Sequence, residues 1–176
     1  MDILNIPTKE EVNKQNQDIF DNLNKALGFV PNLYAVMAHS DTGLKKYLDF
    51  QNTKTSFSNK EKEIINLVVS QVNTCMYCLS AHTLIGKMNG FSEEEVLEIR
   101  KGNSTDTKFQ ALIDLTKDLT ENRGRAQEST SERFFSAGYS KENLVDLVLQ
   151  ISDKTAMNYL HNLTKIEIDF PKAKAL

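Results

Sequence analysis

Four short segments carry the signature of a helix start, and they constrain the fold more than any other feature of the chain. In each, Ser or Thr is followed three residues later by Glu, a pattern in which the two side chains cap the first backbone N–H groups. The four segments are Thr8–Glu11, Ser58–Glu61, Ser92–Glu95 and Ser129–Glu132. Glycine and proline number only 7 and 3 of 176 residues, and strand-like alternation is hard to find. We therefore predict an all-α protein of about seven to nine helices, folded as one domain over residues 1–176.

The stretches between these signals predict where the helices lie. We expect helices over 9–27, 58–72, 75–88, 92–101, 106–122 and 141–162, and shorter helices beginning near Pro31, Asp41 and Ser131. The 58–72 helix is apolar almost all round, which indicates burial. The 141–162 helix is expected to bury Leu144, Val145, Leu147, Val148 and Ile151. From Lys165 onward we expect irregular structure.

Composition and charge exclude several classes of protein. The net charge is −3, from 21 basic and 24 acidic residues, and no basic stripe marks a nucleic-acid surface. The most apolar runs, 64–72 and 144–151, are too short and too often interrupted to span a membrane. Met1–Pro7 has neither the basic start nor the apolar core of a signal peptide. We predict a cytoplasmic protein that binds neither nucleic acid nor membranes.

Both cysteines and one of the three histidines lie in the segment Thr74–His82. On an α-helix, Cys78 falls roughly 60° and His82 roughly 20° from Cys75, so the three share a face. We predict Thr74 as the N-cap, which places both thiols in the first turn. Unpaired N–H groups and the helix dipole there favour a thiolate. The segment therefore indicates a redox dithiol with His82 beside it as a base.

Glu63 lies twelve residues before Cys75, on the helix predicted to be buried. A carboxylate at the edge of an apolar surface costs free energy unless it is paired, and His82 is the candidate partner. A Glu–His pair next to a dithiol is a proton relay, in which His takes the thiol proton and Glu stabilises the charged ring. These residues alone do not choose which cysteine is the nucleophile.

Other interpretations stay open at this point. The cysteines can be inert core residues, or Cys75, Cys78, His82 and Glu63 can form a zinc site. A thioredoxin-like domain needs a βαβ pattern that is absent. Packing is the expected role of Asn158 and Tyr159 on the last helix, and solvated charge that of Arg123, Arg125 and Arg133.

Glu63 followed by Cys75-x-x-Cys78-x-x-x-His82 resembles the alkylhydroperoxidase D-like (AhpD-like) branch of the carboxymuconolactone decarboxylase superfamily. The resemblance extends over roughly residues 18–170. It includes Gly28–Leu33, Val69–Asn73, Ala81–Thr83, Asn122–Arg125 and Lys154–Tyr159, which look like the peroxidase-related members.

The resemblance implies an all-α homo-oligomer that reduces hydrogen peroxide or small organic hydroperoxides without a metal or other cofactor. Cys78 matches the cysteine that attacks peroxide and becomes a sulfenic acid, and Cys75 the one that closes the disulfide. Glu63 and His82 match the proton relay. The implied reductant is an external dithiol on a lipoyl-bearing or thioredoxin-like protein. The decarboxylase branch lacks the cysteine pair, so decarboxylation is not the expected activity.

The chain departs from the family pattern at Tyr77, where the best-studied peroxidases carry a second histidine between the cysteines. A phenol donates a hydrogen bond but is a poor base at neutral pH, so the departure bears on peroxidase efficiency and not on the dithiol. The alternatives are a general dithiol–disulfide oxidoreductase and a non-catalytic oligomeric redox sensor.

Overall fold

We describe a computed structural model that covers residues 4–176; Met1–Ile3, part of the segment assessed above for a signal peptide, lie outside the described residues. Between residues 4 and 176 the chain forms nine α-helices and no strand, which confirms the predicted all-α class. No helix in this range is both long and apolar enough to cross a membrane. The helices are α1 (Lys14–Leu27), α2 (Asn32–Met37), α3 (Gly43–Gln51), α4 (Asn59–Val72), α5 (Met76–Met88), α6 (Glu93–Lys101), α7 (Thr107–Glu121), α8 (Glu128–Ser136) and α9 (Lys141–Thr164).

Two of the four predicted capping boxes start α-helices as expected. Ser58 begins α4 and Ser92 begins α6, each accepting the N–H of a glutamate three residues on. The Thr8 box also forms, but it opens only a 3₁₀ turn, Lys9–Glu11. The predicted 9–27 helix is therefore wrong at its start. The chain becomes extended at Val12, and α1 begins after Asn13, whose side chain caps it.

The starts of three other helices also differ from the prediction. α8 begins at Glu128, because Asp118 accepts the N–H of Gln127 at 2.8 Å and fixes the chain one turn earlier than Ser131. α3 begins at Gly43 rather than at Asp41. Pro31 is the N-cap of α2 and not its first residue. Such shifts arise because a tertiary or turn contact decides among neighbouring polar residues.

The contacts divide the chain into two compact units. One contains the described residues up to Thr53 together with Leu160–Asp169, and the other contains Lys54–Tyr159 together with Phe170–Leu176. The first unit has a small core that includes Phe20, Ala35 and Leu44. The second holds the larger core and all four candidate site residues. The single-domain organisation stays a prediction.

Helix α4 is the centre of the second unit, as its sequence predicted. It packs against α5, α6 and α7. Its side chains Ile64, Ile65, Leu67, Val68 and Val69 are all buried. Helix α9 is different, because Leu147 is fully buried while Val145 and Val148 are 61% and 48% exposed. The expectation that α9 buries Val145 and Val148 is therefore wrong, since only one stripe of the helix faces the core.

Candidate active site

The turn between α4 and α5 sets the position of the cysteines. The N–H of Cys75 bonds to the carbonyl of Ser70 at 2.9 Å, and the N–H of Thr74 to that of Gln71 at 3.1 Å. Thr74 has φ of 54°. This pattern is a Schellman motif that ends α4, with Thr74 at the left-handed position that glycine usually occupies. The prediction that Thr74 caps α5 is therefore wrong, because its backbone completes the preceding helix.

Cys75 itself is the N-cap of α5, and its sulfur accepts the N–H of Cys78 at 3.4 Å. Cys78 lies in the first turn, as predicted, whereas Cys75 lies just outside the helix. Both are free thiols. Both cysteines are buried, with Cys75 0% and Cys78 3% exposed.

The left-handed Thr74 gives a stability prediction. A β-branched residue in this conformation costs about 1 kcal/mol or more, which glycine avoids. We expect Thr74→Gly to raise the free energy of unfolding by about 0.5–1 kcal/mol, measured by urea denaturation. Arg123→Gly is the matched control, because Arg123 also has φ of 54° and lies in another turn. A loss of stability in Thr74→Gly alone would show that the threonine side chain contributes more than its backbone costs.

Glu63 and His82 form a buried pair, as the sequence predicted. The Nδ1 of His82 lies 2.7 Å from Oε2 of Glu63, and Asn66 donates to the other carboxylate oxygen at 3.0 Å. Burial raises the pKa of Glu63, but His82, the charge of Lys154 and Asn66 together outweigh it and leave that pKa below its usual value. Burial and then Lys154 lower the pKa of His82, against the opposing effect of Glu63.

These directions define the protonation state of the pair. At neutral pH Glu63 is a carboxylate and His82 is a neutral imidazole. The carboxylate can only accept, so the Nδ1–H of His82 donates to it. The Nε2 atom is then the unprotonated nitrogen, which is the form of histidine that acts as a general base.

The two thiols differ in acidity. The thiol of Cys75 donates a hydrogen bond to the sulfur of Cys78 and lowers its pKa, and the charge of Lys154 and the amide of Asn158 act in the same direction. Burial and Asp153 oppose them, but the pKa of Cys78 remains below its usual value. The same hydrogen bond, together with burial, raises the pKa of Cys75. Both shifts therefore favour ionisation of Cys78 over that of Cys75.

Several residues of this site lie on α9 and were not predicted from the sequence. Gln150 donates to Asn66 at 2.9 Å and so reaches the partner of Glu63. Asn158 donates to Ser70 at 3.2 Å and accepts a hydrogen bond from Asn73 at 3.0 Å, and it lowers the pKa of both cysteines. Asn158 is fully buried, but its role in polar contacts goes beyond the packing that we expected. The signal in the sequence is three polar residues, at 150, 154 and 158, recurring every four positions along an apolar helix.

The other residues singled out in the sequence lie elsewhere or pack. Tyr77 is buried, and its ring meets that of Phe170 edge-on at 5.5 Å. His39 and His161 contact the backbone carbonyls of Asn5 and Ile166. Tyr159 is 63% exposed, which contradicts the expected packing, and Arg123, Arg125 and Arg133 are exposed, as expected.

The zinc alternative has a geometric test. Among residues 4–176, no three His, Cys, Asp or Glu side chains come together in an arrangement that could hold a metal ion. Cys75, Cys78, His82 and Glu63 do not form such a cluster in this structure.

A family comparison agrees with this arrangement. The description of the carboxymuconolactone decarboxylase family matches residues 37–120, which include Glu63, Cys75, Cys78 and His82. This segment of the chain is therefore similar to the carboxymuconolactone decarboxylase family. One relative is YdfG, an uncharacterized protein of Bacillus subtilis (strain 168). It is 27% identical to this chain over 121 residues, which cover 66% of this chain and 82% of YdfG.

Solved structures establish the fold of this chain. A peroxidase-related protein from Silicibacter sp. TM1040 is 21% identical, with a TM-score of 0.83 over 93% of this chain and 90% of its own. An alkylhydroperoxidase AhpD-core protein from Ralstonia eutropha JMP134 is 16% identical, with a TM-score of 0.85 over 94% and 91%. Both are described as uncharacterized. The chain therefore has the AhpD-like fold.

The same fold also occurs in an enzyme with another substrate. The debrominase Bmp8 is 16% identical, with a TM-score of 0.73 over 89% of this chain and 87% of its own. The fold of the family therefore does not define the reaction, which has to be argued from the site.

Proposed function

We propose that this protein is a thiol-dependent peroxidase that reduces hydrogen peroxide or small organic hydroperoxides. The observation that carries the proposal is the position of the dithiol beside the buried Glu63–His82 pair: Cys75 is the N-cap of α5, Cys78 lies in its first turn, and His82 lies one turn further along the same helix face. A peroxidase needs one thiolate to attack and one thiol to resolve. The Glu63–His82 pair supplies the base.

The proposed cycle begins at Cys78. Its proton passes to His82, directly or through one water, and Glu63 stabilises the imidazolium. The thiolate attacks the terminal oxygen of the hydroperoxide, so that an S–O bond forms and the O–O bond breaks. Cys78 becomes a sulfenic acid, and the departing alkoxide takes the proton from His82 and leaves as the alcohol. Hydrogen peroxide gives water in the same step.

Cys75 completes the oxidation. Its sulfur attacks the sulfenic acid of Cys78, a disulfide forms, and the hydroxyl leaves as water with the thiol proton of Cys75. Two electrons and two protons from an external dithiol then restore both thiols. We propose a lipoyl-bearing or thioredoxin-like protein as this reductant, a homo-oligomeric assembly and a cytoplasmic location, where thiols are kept reduced.

Turnover distinguishes this function from its two alternatives. With excess dithiothreitol in metal-free buffer, we expect many equivalents of hydroperoxide to be consumed per chain. A general oxidoreductase would instead turn over a disulfide substrate and leave peroxide untouched. A redox sensor would consume about one equivalent and change its assembly. No peroxide consumption above the buffer rate would contradict the proposal.

Glu63→Gln tests the relay within this cycle. Glutamine can still accept the Nδ1–H of His82, but it cannot stabilise an imidazolium by charge. We expect peroxide consumption to slow by roughly 10²-fold, the usual scale of acid–base assistance. Glu61→Gln is the matched control, because Glu61 is also buried on α4 but caps the helix through Ser58. A Glu63→Gln variant as fast as wild type would remove Glu63 from the mechanism.

A further inference from the structure

One face of α9 carries a row of polar side chains, and that row lies along the candidate site. Gln150, Lys154 and Asn158 are four residues apart, so they stack on the same side of the helix. Gln150 is bonded to Asn66, which holds Glu63. Asn158 is bonded to Ser70 and to Asn73. Lys154 therefore lies between Gln150, which contacts the partner of Glu63, and Asn158, which contacts the turn before the cysteines.

Lys154 is unusually placed for a lysine. Only 3% of it is exposed. Burying an ammonium group is costly unless negative charge lies nearby. Asp153 lies 3.9 Å from Nζ of Lys154, which is long for an ion pair. One Oδ of Asp153 is held by Gln150 at 3.3 Å, while the other is buried without a hydrogen-bond partner among the described residues.

These contacts show that Asp153 alone does not account for the buried charge. The other anions beside this row of α9 are the carboxylate of Glu63 and the sulfur of Cys78 when it is ionised. A lysine whose only role was to pair with Asp153 could do so at the surface, where both groups remain hydrated. Lys154 lies in the row between Gln150, on the side of Glu63, and Asn158, on the side of the cysteines. Its charge is therefore close to the place where the thiolate of Cys78 forms.

We propose that Lys154 is a positioning residue of this site, whose buried ammonium group stabilises the thiolate of Cys78 and so keeps it ready to attack. This inference deepens the proposed function, because it assigns the charge that activates the nucleophile. Lys154 acts on Cys78 through space and takes no part in bond making. An opposite charge near a thiol favours its ionised form.

The charged and titratable groups around Cys78 come from every packed element. Helix α4 contributes Glu63, α5 contributes His82, the N-cap contributes Cys75, and α9 contributes Lys154 and Asp153. Of these, Lys154 is the cation at neutral pH, because His82 is neutral. Removal of Lys154 therefore leaves Cys78 facing only anionic and neutral neighbours.

The test measures the thiol directly and needs no peroxide. The rate at which iodoacetamide alkylates Cys78 is followed against pH in the Cys75→Ser background, which has one thiol and retains a hydroxyl donor at position 75. We expect Lys154→Met to move the midpoint of this profile up by about one pH unit and to slow alkylation at pH 7 by about tenfold. Lys154→Arg, which keeps the charge, should restore most of the shift.

Two further variants make the result specific. Lys108→Met removes one lysine charge elsewhere in the same unit, where Lys108 contacts Glu61 at 3.5 Å, and should leave the midpoint unchanged. Asp153→Asn removes an anion near Cys78 and should move the midpoint down, opposite to Lys154→Met. The opposed shifts are a readout that a merely structural role for Lys154 would not produce.

The outcomes separate this inference from the proposed function. A folded Lys154→Met protein with the unshifted midpoint overturns the inference, even if the protein is a peroxidase. If Lys154→Met does not fold, as judged by circular dichroism, Lys154→Gln decides: a higher midpoint supports the inference and an unchanged one overturns it. Shifted midpoints in a protein without peroxide turnover would support the role of Lys154 and refute the peroxidase.

Discussion

Cys78→Ser is expected to abolish peroxide consumption, with a loss of at least about 10³-fold relative to wild type. The hydroxyl of serine does not ionise near neutral pH and is a poor nucleophile toward a peroxide oxygen. Cys75 is not expected to replace Cys78, because burial raises the pKa of the Cys75 thiol. The measurement is hydroperoxide loss with excess dithiothreitol in metal-free buffer.

The activity of Cys78→Ser can be interpreted only if the variant is folded. Serine has nearly the shape of cysteine, and the backbone N–H of residue 78 can still donate its hydrogen bond to the sulfur of Cys75. We therefore expect circular dichroism and urea unfolding close to those of wild type. Residual turnover at more than about a tenth of the wild-type rate in a folded Cys78→Ser protein would show that Cys78 is not the nucleophile.

Cys75→Ser is expected to lose the disulfide but keep the first chemical step. Without reductant, each chain should consume about one equivalent of hydroperoxide and gain the mass of one oxygen, about 16 Da, as a sulfenic acid on Cys78. The serine hydroxyl cannot close the disulfide, so the intermediate persists. Intact mass and trapping with dimedone, followed by peptide mapping, locate the modified residue.

The two serine variants control one another. Each removes one of the two thiols from the same turn, but only Cys75→Ser should retain the reactive thiolate. A sulfenic acid found on Cys75 in the Cys78→Ser protein, and none on Cys78 in Cys75→Ser, would reverse the assigned roles.

The all-α class and the Glu63–His82 pair could be predicted because local signals agree with the tertiary structure. Ser58 and Ser92 cap the helices that their sequences predict. The apolar composition of α4 forces burial, and a carboxylate at its edge then requires a partner such as His82. In these places each local preference supports the same fold.

Thr74 shows why the detail of the cysteine turn could not be predicted. Threonine is a favoured N-cap residue and a poor left-handed residue, so its sequence position favours the wrong assignment. The Schellman bonds to Ser70 and Gln71 decide the matter, and they depend on where α4 ends. The outcome places Cys75, rather than Thr74, at the cap of α5.

The α9 half of the site could not be predicted for a different reason. Lys154 and Asn158 are separated from the cysteines by about 80 residues, and only the resemblance of Lys154–Tyr159 to the peroxidase-related members marks them, without giving them a role. Polar residues on a helix usually face solvent. Here the exposed face instead carries Val145 and Val148, while Lys154 and Asn158 are buried. Only tertiary packing shows which face of α9 adjoins the site.

The most direct test of a dithiol peroxidase is to oxidise the reduced wild-type protein with one equivalent of hydroperoxide, in metal-free buffer without reductant. The account predicts formation of one equivalent of alcohol, a mass loss of about 2 Da, and a peptide map with Cys75 joined to Cys78. The protein should then be reduced by dithiothreitol and react again. An unchanged mass with the hydroperoxide still present would contradict the central claim.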